Sequence, residues 1–154
     1  MELSLGKRAD YTVRAMVDLA NHHGDGRRKT AQIAAEMDIP GSYLPQLLAE
    51  LVRAGLVCSV AGRKGGYVLT RPPEEISLLD AIEAADGPMV ASVCVLRGGP
   101  CRWDGTCAIH DPWARAQEAF RQSLSATTFA EIAAIDAGLE ERRTTGPNDP
   151  LALH

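Results

Sequence analysis

Leu56 to Val60 and Tyr67 to Thr70 are short β-prone runs on either side of Ala61-Gly62-Arg63-Lys64-Gly65-Gly66. Three glycines within those six residues stop both runs and let the chain reverse, so the stretch reads as an antiparallel hairpin with a basic tip. The preceding sequence is helical. Tyr11, Val13, Met16, Val17, Leu19 and Ala20 share one broad face of a helix over residues 7–21, which the polar, glycine-bearing stretch at 21–26 ends. Thr30 is suited to cap a second helix through Met37, with Ile33, Ala34 and Met37 inward. Asp38-Ile39-Pro40-Gly41 reads as a turn, and Ser42 as the cap of a third helix running to about Ala54. Pro45 is compatible with that start, because the first N–H groups of a helix have no backbone acceptor. Gly55 closes it. Three helices and then a hairpin make a winged helix-turn-helix, so the expected fold is mainly α with one small β-hairpin.

Beyond the hairpin, Ser77 is placed to cap a helix through Ala85, ended by Asp86-Gly87-Pro88. A segment at residues 94–107 carries three cysteines and few large apolar side chains. Residues 112–124 read as a longer helix with Trp113, Ala116, Phe120 and Leu124 on one side, expected to bury against a second subunit. A last helix is expected from about Thr128 to Leu139, and a disordered tail from Thr144 to His154. The implied division is a DNA-binding domain at 1–73, a cysteine loop with dimerisation helices at 74–143, and the tail at 144–154.

The net charge of −4 argues against a nucleic-acid partner until the chain is divided. Residues 1–73 carry ten Lys/Arg against seven Asp/Glu, and residues 74–154 carry six against thirteen. A basic front half and an acidic rear half fit a phosphate-facing surface joined to a sensing part. No apolar run is long enough to cross a membrane, and Met1 to Gly6 lacks the basic and apolar regions of a secretory signal. The expected location is therefore the cytoplasm, at the nucleoid, where cysteines serve metal or redox chemistry more than disulfide frameworks.

In a helix-turn-helix the early residues of the second helix reach base edges in the major groove. Here those are Ser42, Tyr43 and Gln46; glutamine can pair with adenine through two hydrogen bonds, and serine and tyrosine can reach phosphate or base edges. Tyr43 and Leu44 equally suit a core. The hairpin tip offers Arg63 and Lys64 to phosphates or the minor groove, and Arg27, Arg28 and Lys29 offer further backbone contacts. The plainer alternative is a helix-turn-helix used only for protein contacts, with these charges simply solvated. Enzyme chemistry has no support: no cysteine–histidine–acid arrangement and no glycine-rich nucleotide motif is present.

Cys94, Cys101 and Cys107 are separated by six and then five residues, and His110 follows Cys107 by three. Gly98, Gly99, Pro100 and Gly105 allow the backbone to fold round a small inorganic core. Thiolates suit zinc or an iron–sulfur cluster, and histidine can replace one cysteine in either. Metal-free thiols poised for exchange, in a zinc-stabilised or thiol-switch interaction module, remain open at this point. Cys58, amid Leu56, Val57 and Val60, reads as a buried inert thiol.

Taken in order, Tyr11-Thr12-Val13-Arg14-Ala15-Met16, Ser42-Tyr43-Leu44 with Gln46-Leu47, Ala54-Gly55-Leu56-Val57, Gly65-Gly66-Tyr67, and Cys94, Cys101, Cys107, His110 and Trp113 resemble the Rrf2 family, nearest to its iron–sulfur regulators of cluster assembly. The resemblance covers nearly the whole chain except the tail. It implies a homodimer crossing through the long helix, a palindromic operator in double-stranded DNA, and control, most simply repression, by cluster, iron, redox or nitric oxide status. It assigns Cys94, Cys101 and Cys107 as cluster ligands and His110 as the fourth, with a 2Fe–2S form favoured over 4Fe–4S. A nitric-oxide-sensing branch instead takes an aspartate of the first helix from the other subunit, and Asp10 holds that position. The chain departs from the cluster-assembly pattern in a first cysteine gap longer by one residue, in Pro45 for an acidic residue, and in Ala61 for a wing arginine.

Overall fold

The computed structural model describes residues 4–89 and 107–145, with the side chains of 142–145 left aside. Six helices and one hairpin follow in the order α1 (Lys7–Asn21), α2 (Thr30–Glu36), α3 (Leu44–Arg53), β1 (Val57–Val60), β2 (Gly66–Leu69), a 3-10 turn (Pro73–Glu75), α4 (Leu78–Asp86), α5 (His110–Ala126) and α6 (Phe129–Thr145). The strands pair antiparallel, Val57 opposite Leu69 and Val60 opposite Gly66.

The central element is α1. Ala9, Thr12, Ala15, Met16, Leu19 and Ala20 are buried along it, and it packs against α2, α3, α4 and α6. Leu44, Leu48 and Leu51 of α3, Ile33 of α2 and Ile39 of the turn close one side of the core, and Leu56, Val57 and Leu69 bring in the hairpin. Ile76, Ala81 and Phe129 belong to the same core, so the segment expected to begin a second part at residue 74 is continuous with the first. Two backbone bonds tie the approach to α4 to the start of α6: the Leu78 N–H donates to the Thr127 carbonyl at 2.8 Å and the Phe129 N–H to the Ile76 carbonyl at 2.9 Å.

Local chemistry sets the helix ends. Ser77 caps α4 as expected, its hydroxyl accepting from the Asp80 N–H at 3.1 Å while the Asp80 carboxylate accepts from the Ser77 N–H at 2.8 Å. Thr128 and Glu131 do the same for α6. Lys29, not Thr30, occupies the cap position of α2, where Gln32 Oε1 accepts from its N–H at 2.8 Å. Asp38 turns the chain after α2 with φ of 51°, a conformation that aspartate tolerates better than most residues.

Several expectations need correction. Ser42 does not cap α3: the Tyr43 N–H donates to the Pro40 carbonyl at 2.9 Å, so the turn continues through Tyr43 and the helix begins at Leu44. Cys58 is exposed, because Val57 takes the inward position of β1 and the next residue faces out. The fifth helix starts two residues earlier than residue 112, with His110 as its first residue. The sixth runs on through Thr145, since Glu140 to Arg143 are good helix formers, so Thr144 and Thr145 are not in a tail. The rest of the expected tail, 146–154, lies outside the described residues.

Candidate nucleic-acid interface and cysteine segment

At the start of α3, apolar periodicity separates two faces. Leu44, Leu47, Leu48 and Leu51 enter the core, while Ser42, Tyr43, Pro45 and Gln46 remain exposed on the other side. Tyr43 is 43% exposed and its ring meets that of Tyr11 edge-on, with centroids 5.7 Å apart. Arg14 lies over Tyr11, forms an ion pair with Asp10 at 3.0 Å, and donates to the Met37 carbonyl at 3.4 Å. Gln46 Nε2 donates weakly to Glu50 at 3.5 Å, and Glu50 is itself held by Arg8 at 2.8 Å.

The basic triplet Arg27-Arg28-Lys29 splits by direction. The Arg28 backbone pairs with Tyr67, each N–H donating to the other's carbonyl at 3.0 and 2.8 Å, which adds a one-residue third strand to the hairpin. Side chains then alternate, as extended backbone requires. Arg28 points inward and grips fully buried Asp18 through Nε at 2.9 Å and Nη2 at 2.8 Å. Hydrogen bonding to Asp18 raises the Arg28 pKa above its ordinary value, against the lowering effect of burial, with charge attraction to Asp18 and Glu36 adding to the rise. Arg27 and Lys29 point outward to the hairpin tip: Arg27 Nη1 donates to the Lys64 carbonyl at 3.1 Å and Lys29 Nζ to the Arg63 carbonyl at 2.9 Å. An open groove lined by Gly26, Arg27, Lys29, Gln32, Lys64, Gly65 and Val68 runs between the tip and α2. Gly66 must lack a side chain, because its φ is 145° and a Cβ there would sit 2.6 Å from the Arg28 carbonyl oxygen.

The structure therefore brings Ser42, Tyr43 and Gln46 together on one exposed helix start, and leaves the side chains of Arg63 and Lys64 exposed on the wing. Arg28, an expected phosphate contact, is instead occupied by Asp18. Sequence reading overlooked Asp18; its signal was an acidic residue inside the apolar run Ala15–Ala20 of a helix.

Of the cysteine segment, Cys94 and Cys101 lie outside the described residues. Cys107 is a free, half-buried thiol just before α5, and the His110 N–H donates to its carbonyl at 3.1 Å. Thiol and imidazole are thus borne on one tight turn, a donor pair that fits cluster iron or zinc. Asp10 sits near the start of α1, bound to Arg14. Among the residues of α5 none is buried; Phe120 is 45% exposed, and Ala116 is exposed. Leu5, Leu78, Ile82, Met89, Phe120 and Leu124 line an apolar hollow of about 350 Å³ beside it.

An apolar three-helix core that presents the start of α3 and a basic wing on its surface defines a winged helix-turn-helix regulator of transcription that binds DNA. The model of the family described as Rrf2, iron-dependent transcriptional regulator, matches residues 5–135, and the chain belongs to that family. It is similar to the HTH-type transcriptional regulator Rv1287 of Mycobacterium tuberculosis, at 39% identity over 85% of this chain and 81% of that one. The solved structure of CymR, the global cysteine regulator of Bacillus subtilis, superposes with a TM-score of 0.75 at 33% identity, covering 87% of this chain and 98% of that chain. The structure of T. potens IscR gives 0.69 at 32% identity, covering 89% and 90%. These relatives are regulators, not enzymes, and among the described residues no helix is long and apolar enough to cross a membrane.

Proposed function

We propose that the chain is an iron–sulfur-cluster-sensing repressor that works in the cytoplasm as a homodimer on a two-fold operator. The observation that carries this reading is the Cys107–His110 pair on the turn leading into α5, adjoining a segment that holds Cys94 and Cys101, in a family described as iron-dependent. The ligand set is Cys94, Cys101 and Cys107 with His110, which stands where the family pattern places the histidine ligand, in preference to Asp10 of the second subunit. A 2Fe–2S form is favoured. When bound, such a group would supply reactivity toward oxidants and nitric oxide. The protein's part is to hold ligands at the foot of α5, a helix with Phe120 exposed on it that suits the same helix of a second copy. Ligation that differs between two dimer arrangements would change operator affinity by linkage.

On DNA, Ser42, Tyr43 and Gln46 face the major groove while Arg63 and Lys64 meet phosphates or the minor groove. Selection from random duplexes would supply the operator. Gln46→Ala should relax preference at particular bases, costing about 1–3 kcal/mol there. Arg63→Ala should weaken all sequences alike and reduce the salt dependence of log K by about one phosphate's worth. Binding indifferent to salt, or Gln46→Ala with base preference unchanged, would contradict this placement.

A further inference from the structure

Arg27 and Lys29 look like two more phosphate contacts, yet each already gives a donor to the wing. Lys29 Nζ and Arg27 Nη1 hold consecutive carbonyls, those of Arg63 and Lys64, at 2.9 and 3.1 Å. Between them Arg28 is fixed twice, by its backbone to Tyr67 and by its guanidinium to buried Asp18 of α1. Within the wing tip, Gly62 has φ of 101° and the Gly65 N–H donates to the Gly62 carbonyl at 2.9 Å.

We propose that Arg27 and Lys29 are positioning residues that clasp the wing from beneath by the Lys64 and Arg63 carbonyls, and that Arg28–Asp18 transmits the attitude of α1 to that clasp. Turning two main-chain carbonyls down toward the cations sets the course of the tip backbone on which the Arg63 and Lys64 side chains stand. Wing and α3 then meet DNA as one rigid surface, because both are referred to α1. The proposal rests on the wing lying against DNA only for its effect on affinity; the clasp itself is a property of the free protein.

The test is the double variant Arg27→Met/Lys29→Met, which keeps the length of both stems and removes their donors. In DNA-free full-length protein, amide exchange at Gly65 should rise about tenfold while that at Leu48 of α3 stays unchanged. Operator affinity should fall about tenfold with the slope of log K against log salt changed by less than one. Lys29→Arg, which keeps a donor, should retain wing protection. Unaltered exchange at Gly65 would overturn the clasp. A slope lower by about two, the loss of two phosphate contacts at roughly 0.9 each, would overturn their part as positioning residues by assigning both cations to DNA phosphates. Failure of Arg63→Ala to alter salt dependence would instead refute the wing's contact with DNA and leave the exchange result standing.

Discussion

Asp18→Ala is expected to lower the unfolding free energy by about 3–5 kcal/mol, the usual cost of removing one partner from a buried ion pair. Asp18 is fully buried and Arg28 has only 14% of its side chain exposed, so the guanidinium left behind has little access to water. Two short hydrogen bonds would be lost at once, together with the contact of 3.7 Å between Asp18 and His22. Asp18→Leu combined with Arg28→Met should recover most of the loss, since apolar replacement of both partners avoids an unpaired charge. Denaturant titration at fixed protein concentration measures all of these. A loss below about 1 kcal/mol for Asp18→Ala would place the pair with solvent-screened surface bridges. The raised Arg28 pKa fixes the sign of its pH dependence: its contribution is complete below the ordinary arginine value and is lost only as pH rises through the folded one, so on the arginine side no weakening is expected near neutrality.

A loss of similar size, about 3–5 kcal/mol, is expected for Phe129→Ala. Phe129 has no exposed surface, is the largest fully buried side chain among the described residues, and starts α6 where its N–H donates to the Ile76 carbonyl. The cavity would open at the start of α6, the helix that packs against both α1 and the 3-10 turn. Amide exchange should consequently accelerate in α6 more than in α3. If Phe129→Ala cost less than about 1.5 kcal/mol, or left exchange in α6 unchanged, the helix would be held by other contacts than this ring.

Much of the fold is legible because local rules decide it. The first helix was bounded correctly by its apolar face and the glycines after it, the Ser77 cap by its own side chain, and the hairpin by the glycines of its tip. The errors fall where tertiary geometry decides. Cys58 lies among apolar neighbours in sequence, yet alternation along β1 turns it outward once Val57 is buried. Arg27, Arg28 and Lys29 look like one basic patch, but extended backbone sends the middle residue to a partner ten positions away. The exposed set on α3 could be read from periodicity, whereas the start of the helix could not, because it depends on how the Pro40 turn closes. Trp113, Ala116, Phe120 and Leu124 recur at helical spacing, and in the fold Ala116 and Phe120 are exposed while Trp113 and Leu124 are half-buried.

Anaerobic purification of the full-length chain, with an absorption spectrum and counts of iron, sulfide and zinc, decides whether the cysteine segment is an iron–sulfur sensor. Brown protein with iron and acid-labile sulfide in equal amounts is expected for the unaltered chain. In Cys94→Ala, Cys101→Ala and Cys107→Ala both should be lost, and in Cys58→Ala both should be retained. Colourless protein carrying zinc or no metal, or full iron and sulfide in the Cys107→Ala variant, would contradict the proposal.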